Sequence, residues 1–216
     1  MRQIARILEC NYKTVHDKIQ WMGIRAKDRN SKQDLTSETL FIDEMETIEH
    51  TKLKPLTIAV AVNENYKILG VRVGTIPAKG KTAAISYKKY GYRENQSAEK
   101  TKELLSQISQ QISKPFSVIK SDAKPSYSKI INEAFPNTPY QQFIAAENKE
   151  KRREQKYLKS EKLIYDPIFP VNHTCAKFRD HIKRLSRRNW CTTKIKENLE
   201  LHLNLYIAYT NNYNFL

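Results

Sequence analysis

The segment LFIDEME, at residues 40–46, combines the apolar pattern of a buried strand with an acid, Asp43, inside it. The segment FSVIKSD, at residues 116–122, has the same character and ends at Asp122. An isolated carboxylate in a buried strand is costly unless a cation or a proton compensates its charge. The two segments therefore predict a sheet that carries two acids, and both acids are candidate metal ligands.

Around these segments the chain alternates between strand and helix patterns. Runs rich in Val, Ile and Thr predict a three-stranded meander, and apolar residues at helical spacing predict helices between and after the strands. This order of elements predicts a mixed α/β fold. The predicted elements are strands Leu40–Ile48, Leu56–Asn63 and Ile68–Ile76, an exposed loop Pro77–Glu94, helix Ser97–Ile112, strand Phe116–Ser121, helix Ser126–Phe135, and closing helices at about His173–Asn189 and Lys194–Asn212.

The two acids meet if the first and fourth strands are neighbours in the sheet. Two carboxylates that lie close together repel each other by several kcal/mol unless divalent cations lie between them. Phosphoryl transfer on nucleic acid uses such a site, with two hard cations about 3.5–4 Å apart. Asp43 and Asp122 thus predict a metal-dependent enzyme, whereas Asp43 alone would be typical of a strand-end turn.

The chain is strongly basic, with 38 Lys and Arg against 23 Asp and Glu in 216 residues and a formal charge of +15. Such a surface attracts polyanions through counterion release, so DNA or RNA is the first partner to consider. Between Lys149 and Lys196 there are 15 Lys and Arg against five Asp and Glu. Here Arg184, Arg187 and Arg188 are candidate phosphate contacts, although a solvated helix face gives the same pattern.

The composition excludes several classes of protein. A hydrophobic content of 39% is enough for a modest core. No apolar run approaches the roughly 20 residues of a membrane span, and the N-terminus lacks a signal-peptide core. We therefore expect a cytoplasmic protein without a membrane partner. The three cysteines form no Cys-x-x-Cys pair, which argues against a zinc knuckle or a disulfide framework.

The first 25 residues predict a helix-turn-helix DNA-binding segment. Arg2 to Gly23 favour two short helices around a break at residues 9–11, which would leave Lys13 and His16 facing a duplex. An ordinary helical hairpin has the same pattern, and because the pattern begins inside its first helix we expect a truncated motif or one that docks elsewhere. Ala26 to Glu38 predicts a linker to a catalytic domain over residues 39–216, with a basic insertion at about 145–165.

The motifs resemble those of insertion-sequence transposases with an RNase H-like DDE catalytic domain, over nearly the whole chain. FIDEME at residues 41–46 is similar to the first-strand motif of that family, in which the Asp binds metal. SDAKPSY at residues 121–127 is similar to the fourth-strand motif, an Asp followed by an aromatic residue. NHTCAKFRDHIKRLSRR at residues 172–188 matches the helix that carries the third ligand. The resemblance implies an RNase H-like mixed sheet flanked by helices, in a nucleoid-associated protein of bacterial type.

The third ligand departs from the commonest pattern of the family, because Asn172 stands where a Glu is usual. An amide oxygen is a hard, neutral donor that can ligate magnesium but cannot serve as a base. Arg179, seven residues later on the same helical face, is placed to hold a DNA phosphate. Glu197 on the next helix is the rival third ligand, and a degenerate, inactive site is the remaining alternative.

The function that the resemblance implies is metal-dependent cleavage and strand transfer at the ends of an insertion sequence. The implied cofactor is Mg²⁺ or Mn²⁺ at Asp43, Asp122 and Asn172. The implied partners are the double-stranded DNA of element ends and target, and further copies of the chain, since joining two ends requires a dimer or larger assembly. Two other readings are a catalytically inactive or truncated relative that acts as a DNA-binding protein, and a nuclease of the same fold.

Overall fold

The computed structural model describes residues 1–144, 149–161, 165–186 and 191–211. A five-stranded mixed sheet lies at its centre, in the order β3-β2-β1-β4-β5. Strands β1, β2 and β3 are antiparallel neighbours, whereas β4 runs parallel to β1 and β5 runs parallel to β4. The strands are β1 Thr39–Ile48, β2 Pro55–Asn63, β3 Ile68–Thr75, β4 Val118–Asp122 and β5 Tyr140–Phe143.

Helices cover both faces of this sheet. Two short 3-10 helices, Gly80–Thr82 and Lys183–Leu185, lie among them. The α-helices are α1 Arg2–Ile7, α2 Tyr12–Ser31, α3 Ala83–Tyr90, α4 Ser97–Gln111, α5 Pro125–Ala134, α6 Lys149–Ser160, α7 Phe169–His181 and α8 Lys196–Thr210.

Two hydrophobic cores lie on opposite faces of the sheet, because successive strand residues point to opposite sides. Helices α4 and α5 bury residues such as Leu105 and Ile131 against Ile42 of β1. Helices α7 and α8 bury residues such as Phe178 and Leu203 against the other face, which includes Met45. Strand β2 is buried from Leu56 to Asn63 because both faces are covered, and this explains its continuous apolar run.

The predicted α/β class is confirmed, and the sheet flanked by helices is compatible with the predicted RNase H-like fold. The three-stranded meander, the helix at Ser97 and the fourth strand lie within two residues of their predicted positions. Strand β5, which has only four residues and no apolar alternation, was not predicted. Within the predicted loop Pro77–Glu94, residues Ala83–Tyr90 form helix α3, which is largely exposed and therefore lacks the apolar stripe of a core helix.

The closing helices also differ from their predicted bounds. Helix α7 begins four residues earlier than predicted, with Pro170 in its first turn, where proline is tolerated because the first N–H groups of a helix have no partner inside it. It ends at His181, and residues 187–190, where the predicted helix ended, lie outside the described residues. In the predicted basic insertion, Lys149–Ser160 forms helix α6, while residues 145–148 and 162–164 lie outside the described part.

The N-terminal segment forms two helices around the predicted break, but the second helix is longer than expected. Asn11 caps α2 by accepting a hydrogen bond from the backbone N–H of Lys13, at 2.8 Å. Helix α2 continues through Ser31, so the first six residues of the predicted linker are helical. Gly23 does not end the helix. A Cβ at this position would lie 2.9 Å from Cβ of Leu201 in α8, so the glycine lets the two helices approach closely. Its role is close helix packing, and a helix-turn-helix function for this segment stays a prediction.

Within the residues that the structure describes, no helix combines the length and the apolar character that crossing a membrane would require.

Candidate functional site

The register of the sheet places Asp43 beside Asp122. Strands β1 and β4 pair in parallel as far as Ile42 and Ser121, and the next residue of each strand is the aspartate. Neighbouring strands lie about 4.8 Å apart, and residues in register point to the same side of a sheet. Both aspartates line one cavity of about 260 Å³, together with Glu44, Lys79, Lys124 and Tyr127 among others. We call Asp43 and Asp122 the carboxylate pair.

The pKa of Asp43 is raised to about 6, mainly by burial and also by the neighbouring charges of Asp122 and Glu44. A hydrogen bond from the backbone N–H of Glu44 to Oδ1 of Asp43, at 2.7 Å, acts in the opposite direction, as does the charge of Arg179. Burial also raises the pKa of Asp122, against the backbone N–H and the charge of Lys124. The pair thus holds a proton more readily than two isolated carboxylates do, and a divalent cation would relieve the same repulsion.

Two features of the cavity fit a hydrated hard cation. Mg²⁺ in proteins commonly keeps several waters and is held by one or two carboxylates plus substrate phosphates. The carboxylate pair offers the two carboxylates. The hydroxyl of Tyr127 is buried and has no hydrogen-bond partner within the described part of the chain. A buried hydroxyl without a partner is costly, and a water molecule carried by a cation would satisfy it.

Helix α7 brings a positive charge to the carboxylate pair. Arg179 is close enough to lower the pKa of Asp43. Cys175, one turn earlier on the same helical face, is buried near Asp43, and burial together with that carboxylate raises the pKa of its thiol to about 12. The helix therefore offers a guanidinium near Asp43, and the role of Arg179 as a DNA phosphate contact stays a prediction.

Asn172 lies one turn before Cys175 on this face of α7. Its side-chain Nδ2 donates to Oδ2 of Asp166 at 3.0 Å. Among the contacts of residues 1–144, 149–161, 165–186 and 191–211, none joins Asn172 to Asp43 or Asp122. The role of Asn172 as third metal ligand therefore stays a prediction.

The rival third ligand, Glu197, lies in the first turn of α8 and pairs with Lys196 at 3.8 Å. Its side chain is 70% exposed, and it does not line the cavity of the carboxylate pair. Over the described ranges of the chain, no group of three or more His, Cys, Asp and Glu side chains could hold a metal ion. Two other acids, Glu44 and Glu46, line the cavity with the aspartates, whereas Glu197 does not.

The predicted DNA contacts lie in different environments. Lys13 is exposed at the start of α2, and His16 in the same helix pairs with Asp17 at 3.2 Å. Arg184 is partly buried, and burial lowers its pKa. Arg184 and His16 both lie near His202 of α8, where burial and these charges lower the pKa of the imidazole to about 4. Arg187 and Arg188 lie outside the described residues.

A polar network next to the carboxylate pair was not predicted from the sequence. Glu44 accepts hydrogen bonds from Thr57, Ser97, Thr101 and Lys124, and we call these five residues the Glu44 network. One signal was available in the sequence: Thr57, which is 1% exposed, is a polar side chain within a largely apolar strand. A buried hydroxyl needs a partner, and in this protein the partner is the acid that follows Asp43.

Comparisons with known proteins leave the family of this chain open. No protein-family model matches the chain, and no curated protein matches it. Among solved structures, the chain is similar to one in the cryo-EM structure of the simian T-cell lymphotropic virus intasome in complex with PP2A regulatory subunit B56 gamma. The identity is 10%, the TM-score is 0.32, and the match covers 82% of this chain. This chain spans about half, 51%, of the length of that chain, and at this TM-score the likeness carries no argument about function.

The raised pKa of Asp43 predicts how stability depends on pH. The folded protein keeps the Asp43 proton up to about pH 6, whereas the unfolded chain releases it near the ordinary value of 3.8. The proton on Asp43 therefore adds to the free energy of unfolding below about pH 4, and this stabilisation is lost as the pH rises through 6. In EDTA we expect a loss of up to about 3 kcal/mol over this window, measured by urea unfolding.

The variant Asp43→Asn isolates this contribution, because it removes the titrating group and leaves all other acids in place. Between pH 4 and 6.5, the free energy of unfolding of the variant should decrease less than that of the wild type, by the amount that Asp43 contributes. Adding Mg²⁺ at pH 7 should stabilise the wild type more than the variant. Identical pH dependence in the two proteins would contradict the assignment of a raised pKa to Asp43.

Proposed function

We propose that this chain is a DNA transposase of an insertion sequence, which cleaves phosphodiesters and transfers strands at element ends with Mg²⁺ or Mn²⁺. The observation that supports this proposal most directly is the carboxylate pair, which two strands distant in sequence bring into adjacent positions. The formal charge of +15 supports a polyanionic substrate, because a basic surface binds the phosphate backbone of nucleic acid.

Each residue of the site has a separate part in the proposed reaction. Asp43 and Asp122 would hold the cations, and Asn172 would complete the donor set. When bound, the cations would activate the attacking water or DNA 3′ hydroxyl and stabilise the leaving oxygen. Arg179 would orient the DNA backbone, because a guanidinium forms strong hydrogen bonds to phosphate. Double-stranded DNA of the ends and target, and a second copy of the chain, would complete the assembly.

A second candidate function is supported by the surroundings of Asn172. Among the described residues no group of three or more His, Cys, Asp and Glu side chains could hold a metal ion, and the Asn172 amide donates to Asp166. A relative of the transposases that had lost catalysis could keep the basic surface and act as a DNA-binding protein. In that case the protein would bind DNA without cleaving it. The phosphate contacts would be Lys13, His16, Arg184, Arg187 and Arg188.

A single assay distinguishes these functions. Purified protein is incubated with DNA that carries the sequences flanking its own gene, with Mg²⁺ or with EDTA, and the products are separated on denaturing gels. We expect cleavage at defined positions together with joined strands, both only with Mg²⁺. Cleavage without joining would indicate a nuclease of the same fold, binding without cleavage would indicate the inactive relative, and neither binding nor cleavage would overturn both functions.

A further inference from the structure

The Glu44 network lies directly beside the carboxylate pair but on the other side of β1. Residues 43 and 44 point to opposite faces of the strand, so the Glu44 carboxylate faces α4 whereas Asp43 faces α7. The Glu44 side chain is only 12% exposed. Its oxygens accept from Thr57 Oγ1 at 2.7 Å, Ser97 Oγ at 2.8 Å and Thr101 Oγ1 at 3.0 Å.

Lys124 is the fourth donor to Glu44 and the positive charge of the network. Its ammonium forms an ion pair with Oε1 of Glu44 and also donates to Ser97 Oγ. It lies 5.3 Å from the centre of the Tyr127 ring, a geometry that favours a cation. These contacts hold the ammonium on the Glu44 side of the cavity.

Glu44 is therefore not available as a metal ligand. A carboxylate has about four lone-pair sites, and four different side chains already donate to this one. These hydrogen bonds and the charge of Lys124 keep the pKa of Glu44 below its usual value although the group is largely buried. The cation-binding capacity of the cavity thus rests with Asp43 and Asp122.

Lys124 could compete with a metal ion if it were released. It follows Asp122 by two residues, and its backbone N–H is 3.4 Å from Oδ1 of Asp122. Its charge already reaches Asp122, whose pKa it lowers. An ammonium on a flexible four-carbon stem, without its present partner, would turn to the nearest uncompensated carboxylate.

We propose that Glu44 is a positioning residue that anchors Lys124 and thereby keeps the Lys124 ammonium away from Asp43 and Asp122, leaving the pair available to divalent cations. This inference rests on the proposed function, because it assigns a cation site to the same aspartates. It also explains why strand β1 carries two consecutive acids. Asp43 binds the divalent cation, and Glu44 restrains the Lys124 ammonium that would displace this cation.

Glu44→Gln and the double variant Glu44→Gln/Lys124→Met test this inference through Mn²⁺ binding, followed by the EPR signal of free Mn²⁺. Glu44→Gln keeps the shape of the side chain but releases Lys124, so the Kd for Mn²⁺ should rise by about 10–100-fold. Removing the released ammonium in the double variant should return the Kd to within about threefold of the wild type. If Glu44 only stabilised the local structure, the Kd for Mn²⁺ should be higher in the double variant than in the single variant, since the double variant loses more of the network.

Glu49→Gln is the matched control. Glu49 pairs with Lys54 at 2.7 Å, and the exposures of the Lys and Glu side chains are 27% and 15%, against 30% and 12% for Lys124 and Glu44. Glu49 does not line the cavity of the carboxylate pair, so this variant should bind Mn²⁺ like the wild type. Urea midpoints of all variants, measured in EDTA, establish that each is folded under the assay conditions.

The possible outcomes separate this inference from the proposed function. An unchanged Kd in Glu44→Gln, or a raised Kd that Lys124→Met does not correct, would overturn the anchoring role while the metal site remains. An absence of Mn²⁺ binding by the wild type would remove the metal site and the anchoring role together.

Discussion

Asp43→Asn should lower the rate of Mg²⁺-dependent DNA cleavage by about 10³-fold or more, equivalent to about 4 kcal/mol of the activation barrier. Asparagine has the shape of aspartate but no charge, so it removes half of the negative charge of the carboxylate pair. The attacking and leaving oxygens would lose the cations that compensate their charge. The measurement is single-turnover cleavage of a labelled DNA duplex that carries the element end.

This loss should be confined to catalysis. The variant removes the repulsion between the two carboxylates, so its free energy of unfolding at pH 7 in EDTA should equal or exceed that of the wild type. DNA affinity without metal should not fall, because a negative charge has been removed. Asp28→Asn is the control for the change in charge: Asp28 is 61% exposed, pairs with Lys32 at 2.8 Å, and should have wild-type activity. Cleavage by Asp43→Asn at the wild-type rate would refute the site.

Phe178→Ala should have the largest effect on stability, a loss of about 3–5 kcal/mol in the free energy of unfolding. The Phe178 side chain is fully buried between α7 and the sheet, and its ring meets that of Tyr206 edge to face at 5.5 Å. Truncation leaves a cavity under the helix that holds Arg179 near Asp43. Because small domains are stable by only about 5–15 kcal/mol, urea unfolding will show a large decrease in the midpoint.

Phe169→Ala is the matched control in the same helix. Phe169 is 44% exposed and stacks on His173 at 5.4 Å, so its truncation creates no enclosed cavity. We expect a loss of about 1 kcal/mol or less. Equal losses in the two variants would show that α7 is not held to the sheet by the buried face that contains Phe178.

The sheet strands were predictable because their signals are local. In β2, a run rich in Val, Ile and Thr predicted a strand, and the structure buries this strand from Leu56 to Asn63. In α4, Leu104, Leu105 and Ile108 recur at helical spacing, and all three are buried. The end of α2 was not predictable in this way, because Gly23 marks close packing against Leu201, a residue far away in sequence.

The same distinction applies to the candidate site. The sequence identified Asp43 and Asp122, since an acid in an apolar strand is conspicuous wherever the strand lies. It did not identify Lys124 or Ser97 as partners of Glu44, because residues in exposed-looking turns and helix starts have no pattern that indicates a distant contact. It named Asn172 by resemblance, whereas the structure joins the side chain of Asn172 to Asp166.

The α/β class, the positions of the main strands, the strongly basic charge and the two acids could be read from the amino-acid sequence alone, because each follows from residue type and short-range periodicity. Which residues meet became clear only from the fold: Asp43 with Asp122 across two parallel strands, Arg179 near Asp43, and Glu44 with Lys124 on the opposite face. The physical reason is that burial, charge repulsion and hydrogen-bond saturation depend on distances in space, and chain folding sets these distances between residues that are far apart in sequence.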